Sequence, residues 1–340
     1  MGTGGKMEAY PDIVNTLEIG SEIDWHVEHL PSSAWLEHIP FAFWIVGALR
    51  PDNLVELGTH SGASYGAFCE AVVRLGLPTR CYAVDTWEGD AHAGLYDETV
   101  FRDLSAMNET RWRAFSSLLR TTFDNARAYF TDGSIDLLHI DGLHTYEAVR
   151  HDWLTWKDTL SRRSVVLFHD TNVREREFGV WRLFEELRQS YPFFEFHHGH
   201  GLGIVAVGAD LPTPLRGLFA AGNDPVKSET IRRLFAARGA SIRNAFLLEE
   251  ARRKNDELTA ALSLSNRRER EAQQALAAAN SHATTLVDPK LYIAEFERRI
   301  ARESRIIKLR KQLQKARSEA APMTRLVRML SRSPSRKPRR

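Results

Sequence analysis

Cysteine is nearly absent, because the chain of 340 residues contains only Cys69 and Cys81. This scarcity excludes a disulfide framework and a cysteine-rich zinc site. Long apolar runs are also missing, since the longest covers residues 39–49 and includes Pro40. A membrane-spanning helix needs about 20 such residues, so this run predicts a buried helix instead. The first twelve residues lack an apolar signal core, and we therefore expect a cytoplasmic protein.

Tryptophan and histidine are scarce in the last part of the chain, which is strongly basic. Residues 1–208 hold 17 Lys and Arg against 30 Asp and Glu, with all eight Trp and twelve of the thirteen His. Residues 209–340 hold 29 basic and 14 acidic residues. The asymmetry predicts two different kinds of chain. We expect no nucleic-acid binding, because the first part is acidic and the basic part lacks interleaved aromatic residues.

The first part alternates short strand-like runs with helical stretches. Five runs rich in β-branched or aromatic residues predict strands, at 53–57, 80–85, 127–131, 135–141 and 164–168. Helical patterns such as 63–75 and 145–160 separate most of them, which indicates βαβ units and a doubly wound, mainly parallel α/β sheet. The runs 193–197 and 202–207 are joined by a short turn and predict an antiparallel hairpin. The total is seven strands, the last one antiparallel.

The second part has no strand signal and is predicted to be helical. Between Leu248 and Leu286, steps of three and four residues visit twelve positions, of which nine are apolar. This spacing predicts a moderate coiled-coil seam that ends before Pro289. A second helix carries an apolar stripe of Ile293, Phe296, Ile300 and Ile307. We expect self-association or protein docking through these helices, with a solvated monomeric helical region as the alternative.

The turn after the first strand is rich in glycine and follows an acid. Gly58 and Gly62 are spaced G-x-x-x-G, which departs from the G-x-G-x-x-G dinucleotide fingerprint. Glu56 just before the turn would repel a pyrophosphate but suits a cationic or amino-bearing ligand. Asp85 ends the next strand, where acids commonly bind ribose hydroxyls. An ordinary glycine-rich turn beside a surface acid is the alternative.

Acids and histidines cluster at two further strand ends. Asp141 and His144 follow one strand, and the next ends with His169 and Asp170. Carboxylates with few nitrogen ligands suit Mg²⁺ or Mn²⁺ better than zinc. A neutral histidine nearby is the usual general base for a hydroxyl. His139, inside an apolar strand, is predicted to be a hydrogen-bonded core residue.

Two other segments leave their role open. The hairpin turn contains His197, His198 and His200, which form either a metal-binding tract or an ordinary turn near the rim of the site. Segment 89–123 contains Trp112 and four Arg. It forms either a lid over the site or an ordinary crossover helix.

Four sequence blocks carry a resemblance to a known family. They are VELGTHSG from Val55, YAVDTWEGDAHAG from Tyr82, LLHIDGLHTYEAVRHDW from Leu137 and VVLFHDTNVREREFGVW from Val165. In this order, over residues 40–208, they resemble class I S-adenosylmethionine-dependent methyltransferases of methyltransferase family 24. This branch is similar to metal-dependent sugar O-methyltransferases and to cephalosporin hydroxylase-like proteins. It implies a Rossmann-like seven-stranded sheet with an antiparallel last strand.

The resemblance also implies a cofactor site. The residues that would cradle the methionine part of S-adenosyl-L-methionine are Glu56, Gly58, Gly62 and Ser64. Asp85 would bind the ribose, and Trp87 would lie near the adenine.

A metal site is implied at the two later strand ends. Asp141 and Asp170 would bind a divalent metal, Mg²⁺ or Mn²⁺, and His144 would be the catalytic base. The related sugar enzymes have a carboxylate immediately before the second ligand, whereas this chain has His169 there. The metal set is therefore predicted as Asp141, His169 and Asp170.

These features predict a metal-assisted O-methyltransferase acting on a hydroxyl of a sugar, glycan or glycosylated small molecule, in polysaccharide modification. The alternatives are a hydroxylase-like tailoring protein and a catalytically silent scaffold acting through its coiled coil. The predicted segments are an amino-terminal segment 1–39, a methyltransferase domain 40–208, a linker with short helices 209–243, coiled-coil-like helices 244–320 and a basic tail 321–340. The tail's charge suits weak peripheral contact with anionic lipid, although a solubilising role is the simpler interpretation.

Overall fold

The computed structural model describes residues 13–90, 92, 94–282 and 289–330. The chain divides into two compact units, Met1–Arg243 and Asn244–Arg340. The predicted basic tail lies partly outside the described residues, as does the end of the predicted coiled-coil seam. Among the residues that are described, no helix is both long and apolar enough to cross a membrane.

The first unit is built on a sheet of seven strands. In chain order they are β1 (Asn53–Leu57), β2 (Arg80–Asp85), β3 (Ser116–Arg120), β4 (Ile135–Ile140), β5 (Leu160–His169), β6 (Phe193–Phe196) and β7 (Leu202–Ala206). Their spatial order is β3-β2-β1-β4-β5-β7-β6. Strands β1 to β5 are parallel, and β7 runs antiparallel to both of its neighbours. The predicted seven-stranded α/β sheet with an antiparallel last strand is confirmed.

Helices connect and flank these strands. They are α1 (Ile39–Leu49), α2 (Ala63–Leu75), α3 (Glu98–Arg111), α4 (Phe123–Arg127), α5 (Tyr146–Trp156), α6 (Val180–Leu187) and α7 (Thr213–Gly222). The long apolar run in the sequence is α1, which is almost wholly buried and packs against α2. Side chains alternate between the two faces of a strand. On β1, Val55 and Leu57 accordingly join a buried cluster with Trp153 of α5 and Leu183 of α6.

One strand prediction is wrong. Residues 127–131 form the end of α4 and a turn, and the third strand is β3, at the edge of the sheet. The apolar character of 127–131 comes largely from Phe130. This residue lies in a turn, and its side chain is buried in the core. Strand β3 gave a weak signal, because an edge strand with a partly exposed face needs few apolar residues.

The segment 89–123 contains the expected crossover helix, and the lid stays a prediction. A two-stranded hairpin pairs Gly89–Asp90 with Gly94–Leu95, and α3 follows as a crossover helix before β3. Residues 13–38 also belong to the first unit, where two short 3₁₀ helices, Ser21–Asp24 and Ala34–His38, precede α1. This part of the chain reaches the cavity described below.

The second unit is helical, as predicted. Helix α8 (Pro225–His282) crosses the boundary between the units, and α9 (Pro289–Leu330) lies in the second. Two cavities are lined by residues of both helices. Earlier positions of α8 face later positions of α9, so the two helices run antiparallel. Ile306 and Leu313 of α9 are buried, and the stripe of Ile293, Phe296, Ile300 and Ile307 is more than half exposed.

Candidate active site

A cavity of about 370 Å³ lies at the carboxyl ends of β1, β2, β4 and β5. The strand order reverses between β1 and β4. Open α/β sheets bind ligands at such a switch point. The cavity volume falls in the range of about 300–1,000 Å³ that is usual for small-molecule sites. All four strand-end segments picked out from the sequence contribute to this one cavity.

The loop after β1 requires glycine for steric reasons. Gly58 lines the cavity with φ +87°, and a Cβ atom there would lie 2.1 Å from the carbonyl oxygen of Asp141. Gly62 precedes α2 with φ +79°, and its Cβ would lie 2.6 Å from a methyl group of Leu104. Ser64, in the first turn of α2, lines the cavity and is buried. Gly58 therefore brings backbone, rather than a side chain, up to the ligand space, whereas Gly62 makes room for Leu104 and is not among the residues that line the cavity.

Asp85 ties this loop to the end of β2. Its Oδ2 accepts hydrogen bonds from the backbone N–H groups of Thr59 and His60, both at 2.9 Å. Its Oδ1 accepts one from the backbone N–H of Trp87 at 2.7 Å. A carboxylate offers about four acceptor positions, so Asp85 retains acceptor capacity where it lines the cavity. The predicted contact with ribose is compatible with this arrangement and stays a prediction.

Glu56 lies beneath the cavity and has no exposed surface. Its Oε1 is 2.8 Å from Nδ1 of His139, and Nε2 of His139 accepts a hydrogen bond from the indole N–H of Trp35 at 3.2 Å. Because Nε2 is the acceptor, the proton of a neutral His139 is on Nδ1, which donates to Glu56. His139 is thus the hydrogen-bonded core residue that was predicted. The direct cofactor contact of Glu56 stays a prediction.

Trp87 is buried behind His60, one of the residues that line the cavity. Only 2% of its surface is exposed. Its indole N–H donates to the carbonyl of His60 at 2.8 Å, and its ring lies 4.8 Å from that of Phe101. The rings of Tyr96 and Phe123 line the cavity instead, and the ring of Tyr96 lies 4.4 Å from that of His60. A contact between Trp87 and adenine stays a prediction, and Tyr96 is an additional candidate that the sequence analysis missed.

Asp141, His144 and Asp170 form a compact polar cluster on the other side of the cavity. Nε2 of His144 lies 3.3 Å from Oδ1 of Asp141 and 3.0 Å from Oδ2 of Asp170. One ligand atom from each residue lies within 4.8 Å of the others, so the three could hold a metal ion. Asp170 adopts φ +63° and is 5% exposed. Backbone strain of this kind is concentrated at functional sites.

Two further histidines contact the same carboxylates. Nδ1 of His169 lies 3.2 Å from Oδ1 of Asp141 and 3.5 Å from Oδ1 of Asp170. Nδ1 of His200, in the hairpin turn before β7, lies 3.3 Å from Oδ1 of Asp170. The sequence placed His200 near the rim of the site, and the structure brings it to the predicted metal ligand.

Charge coupling within the cluster is strong. Burial alone would lower the pKa of His144, but hydrogen bonds to Asp141 and Asp170 raise it to about 10. Burial acts on His169 in the same way, and the two carboxylates raise its pKa to about 9. Burial would raise the pKa of Asp141, yet His169 and His144 hold it well below its usual range. The two carboxylates therefore stabilise the protonated forms of both imidazoles.

Residues outside the predicted strand ends also lie at or near the cavity. Ser33 and Ala34 line it from the amino-terminal segment. His92, in the hairpin after β2, has its ring 4.6 Å from that of Phe178, which lies parallel to the ring of His144 at 4.7 Å. His92 and Phe178 lie within the blocks that carry the family resemblance. No motif marks Ser33 and Ala34, because they reach the cavity only through the packing of a segment distant in sequence.

The comparisons with known proteins agree with this geometry. The sequence profile of a family described as "Methyltransferase domain" matches residues 55–171. Residues 55–171 are therefore similar to methyltransferase domains, and the first unit has the seven-stranded sheet with an antiparallel last strand that the resemblance implies. The resemblance stated from the sequence is confirmed at this level.

Individual relatives were also found. The uncharacterized protein y4gI of Sinorhizobium fredii is 47% identical over 211 residues, which are 62% of this chain and 23% of that protein. The chain thus spans about a quarter of that relative's length. The structure of Podospora anserina methyltransferase PaMTH1 bound to S-adenosylhomocysteine is 10% identical, covering 61% of this chain and 96% of that chain with a TM-score of 0.40. The O-methyltransferase TomG of Streptomyces achromogenes, in complex with S-adenosylmethionine, is 10% identical, covering 62% and 92% with a TM-score of 0.40.

Proposed function

We propose that the protein transfers a methyl group from S-adenosylmethionine to a hydroxyl of a sugar, a glycan or a glycosylated small molecule, with the help of a divalent metal. One observation carries the proposal. The glycine loop held by Asp85 and the cluster around His144 face the same cavity. A methyl donor and a group that accepts a hydroxyl proton therefore have space next to each other.

The donor half of the cavity suits S-adenosylmethionine. Gly58 presents backbone to the ligand space, and Ala63 and Ser64 line it from the first turn of α2. The amino-terminal end of a helix favours a carboxylate such as that of the methionine part. Asp85 keeps acceptor capacity for ribose hydroxyls. When bound, the cofactor supplies a methyl group activated on a sulfonium.

The acceptor half suits a divalent cation. Oδ1 of Asp170 is buried and has no hydrogen-bond partner, although it faces two imidazoles. An ionised oxygen buried in this way needs compensation by a cation. Asp141 and Asp170 would hold the metal, which lowers the pKa of a bound hydroxyl.

The roles of the remaining residues follow from their positions. Nε2 of His144 lies beside both carboxylates. With a divalent cation on Asp141 and Asp170 in place of its proton, a neutral His144 would take the proton of a hydroxyl placed there. The methyl group of bound S-adenosylmethionine would pass to that oxygen as its C–S bond breaks, and S-adenosylhomocysteine would be released. Phe178 and His92 cover His144 and limit water at the reacting oxygen. Positioning of the two reactants supplies most of the rate enhancement.

Calorimetric titration of S-adenosylhomocysteine into the full chain tests the donor site. We expect saturable binding, followed by transfer of labelled methyl from S-adenosylmethionine to members of a panel of glycans. A folded protein that binds no S-adenosylhomocysteine would contradict the proposal and favour the silent scaffold. Binding with formation of a hydroxylated rather than a methylated product would favour the hydroxylase-like alternative.

A further inference from the structure

His169 is oriented by a backbone carbonyl on the side away from the carboxylates. Its Nε2 lies 3.0 Å from the carbonyl oxygen of Gly199, and Nε2 of His38 lies 3.0 Å from the same oxygen. A carbonyl oxygen can only accept hydrogen bonds, so both Nε2 atoms carry protons. A neutral His169 therefore has its lone pair on Nδ1, the nitrogen that faces Asp141 and Asp170.

This orientation is the one that proteins use for a metal-ligating histidine. Such histidines commonly donate their second ring N–H to a backbone carbonyl, which fixes the ring and its tautomer. A lone pair on Nδ1 of His169 would otherwise face the carboxylate of Asp141 at 3.2 Å. Either an additional proton or a cation must lie between the two groups.

Each donor atom of this cluster lies at a ligand-like distance from the next. Oδ1 of Asp141, Nδ1 of His169, Oδ1 of Asp170 and Nδ1 of His200 follow one another at 3.2, 3.5 and 3.3 Å. Ligand atoms about 2.0–2.2 Å from a tetrahedral ion lie roughly 3.3–3.6 Å apart. Charge-assisted N–H···O hydrogen bonds are shorter, at about 2.7–2.9 Å. These contacts are therefore long for ion pairs and normal for neighbouring ligands of one metal.

We propose that Asp141, Asp170, His169 and His200 form a mixed carboxylate–imidazole site that selects a first-row transition ion, such as Co²⁺ or Zn²⁺, over Mg²⁺. Two nitrogen donors disfavour Mg²⁺, which prefers oxygen ligands, and they favour ions that accept imidazole. The inference deepens the proposed function, on which it rests. It replaces the expected Mg²⁺ or Mn²⁺ by an ion that binds imidazole more strongly, and it adds His200 to the predicted ligands Asp141, His169 and Asp170.

Metal titration of the full chain tests the site without reference to activity. Co²⁺ and Mg²⁺ are titrated separately by calorimetry into metal-free protein, and the visible absorption of the Co²⁺ form is recorded. We expect one Co²⁺ per chain, bound at least about tenfold more tightly than Mg²⁺. His200→Ala is expected to weaken Co²⁺ binding by about tenfold or more and to change the spectrum.

His197→Ala is the matched control. His197 lies near the same hairpin turn with the same side-chain exposure as His200, 57%, and contacts Glu195 rather than Asp170. The His197→Ala variant should leave both the Co²⁺ affinity and the absorption spectrum of the Co²⁺ form unchanged. His169→Glu, checked for folding by circular dichroism, should move the preference toward Mg²⁺ because it replaces nitrogen by oxygen.

Equal binding of Mg²⁺ and Co²⁺, or identical Co²⁺ affinities for His200→Ala and His197→Ala, would overturn the inference. S-adenosylhomocysteine is titrated into the same samples. Its binding reports on the donor half of the cavity, so failure of the metal inference is distinguishable from failure of the methyltransferase proposal.

Discussion

Trp35 and His139 are 104 residues apart in the sequence, and the indole N–H of Trp35 donates to Nε2 of His139 at 3.2 Å. This bond leaves Nδ1–H of His139 to donate to Glu56, so three fully or almost fully buried side chains form one polar chain. This series of hydrogen bonds connects the amino-terminal segment to β4 and β1 beneath the cavity. Its members therefore contribute to the shape of the site without lying on its surface.

Glu56→Gln should lower stability more than cofactor affinity. The substitution removes a buried, charge-assisted acceptor and places an amide N–H₂ where Oε2 has no partner, at a cost of about 1–3 kcal/mol. Urea unfolding and titration of S-adenosylhomocysteine measure the two effects. Trp35→Phe, which removes the donor to His139 together with part of a buried ring, is the comparison. A large loss of affinity in stable Glu56→Gln protein would instead support a direct contact with the cofactor.

Asp85→Asn should weaken S-adenosylhomocysteine binding by about tenfold or more. The amide has one oxygen where the carboxylate has two, so at least one backbone N–H of Thr59, His60 or Trp87 loses its acceptor. Both the loop geometry and the acceptor for ribose are lost together. The control is Glu88→Gln, which also removes one negative charge, three residues away at an exposed position. This variant should bind S-adenosylhomocysteine with wild-type affinity. Equal affinities for the two variants would remove Asp85 from the site.

Site residues could be predicted from the sequence where they end a strand or directly follow one. Asp85, Asp141 and Asp170 each follow or end a buried strand, so parallel pairing alone brings them to one edge of the sheet. His200 could not be assigned in this way, since its contact with Asp170 depends on how the hairpin folds back over β5. The stacking of His92 near His144 likewise depends on the fold of the hairpin after β2.

The misplaced third strand has a related cause. Residues 127–131 have the aromatic content of a strand. The segment just before them instead forms α4, because the side chain of Thr122 caps this helix by accepting a hydrogen bond from the backbone N–H of Asn125. Capping is visible in a sequence only as a weak preference. Strand β3 pairs with β2 along its whole length, and this pairing compensates for a sequence with little strand character.

His144→Ala should abolish methyl transfer and leave S-adenosylhomocysteine affinity near that of wild type. The ring of His144 contacts Asp141, Asp170 and Phe178, and it lies with the acceptor half of the cavity. His151→Ala is the control, since His151 is exposed and pairs with Asp124. Transfer is followed with labelled S-adenosylmethionine on an acceptor identified in the glycan screen. Loss of cofactor binding in His144→Ala would mean that the residue is structural.

Phe296→Glu should reduce self-association of the chain. Phe296 and Ile300 lie on the exposed apolar stripe of α9, and a charge placed there would have to be buried in any helix–helix contact that uses the stripe. Molar mass is measured by sedimentation equilibrium over a range of concentrations. Ala301→Glu adds the same charge on the same helix off the stripe and should leave the mass unchanged. A monomeric wild-type chain would contradict self-association through this face.

Asp152→Asn should stabilise the protein at pH 8 and have less effect at pH 5. Burial raises the pKa of Asp152 to about 7, well above its value of about 3.9 in an unfolded chain. A raised pKa in the folded state contributes stability below pH 4, and this contribution is lost as the pH rises through 7. At pH 8 the folded protein keeps a buried carboxylate, and the neutral amide removes that cost, which is of order 1–3 kcal/mol. Thermal unfolding across this pH range should therefore show a smaller fall for Asp152→Asn than for wild type, whereas Asp158→Asn, at an exposed position, should follow wild type throughout.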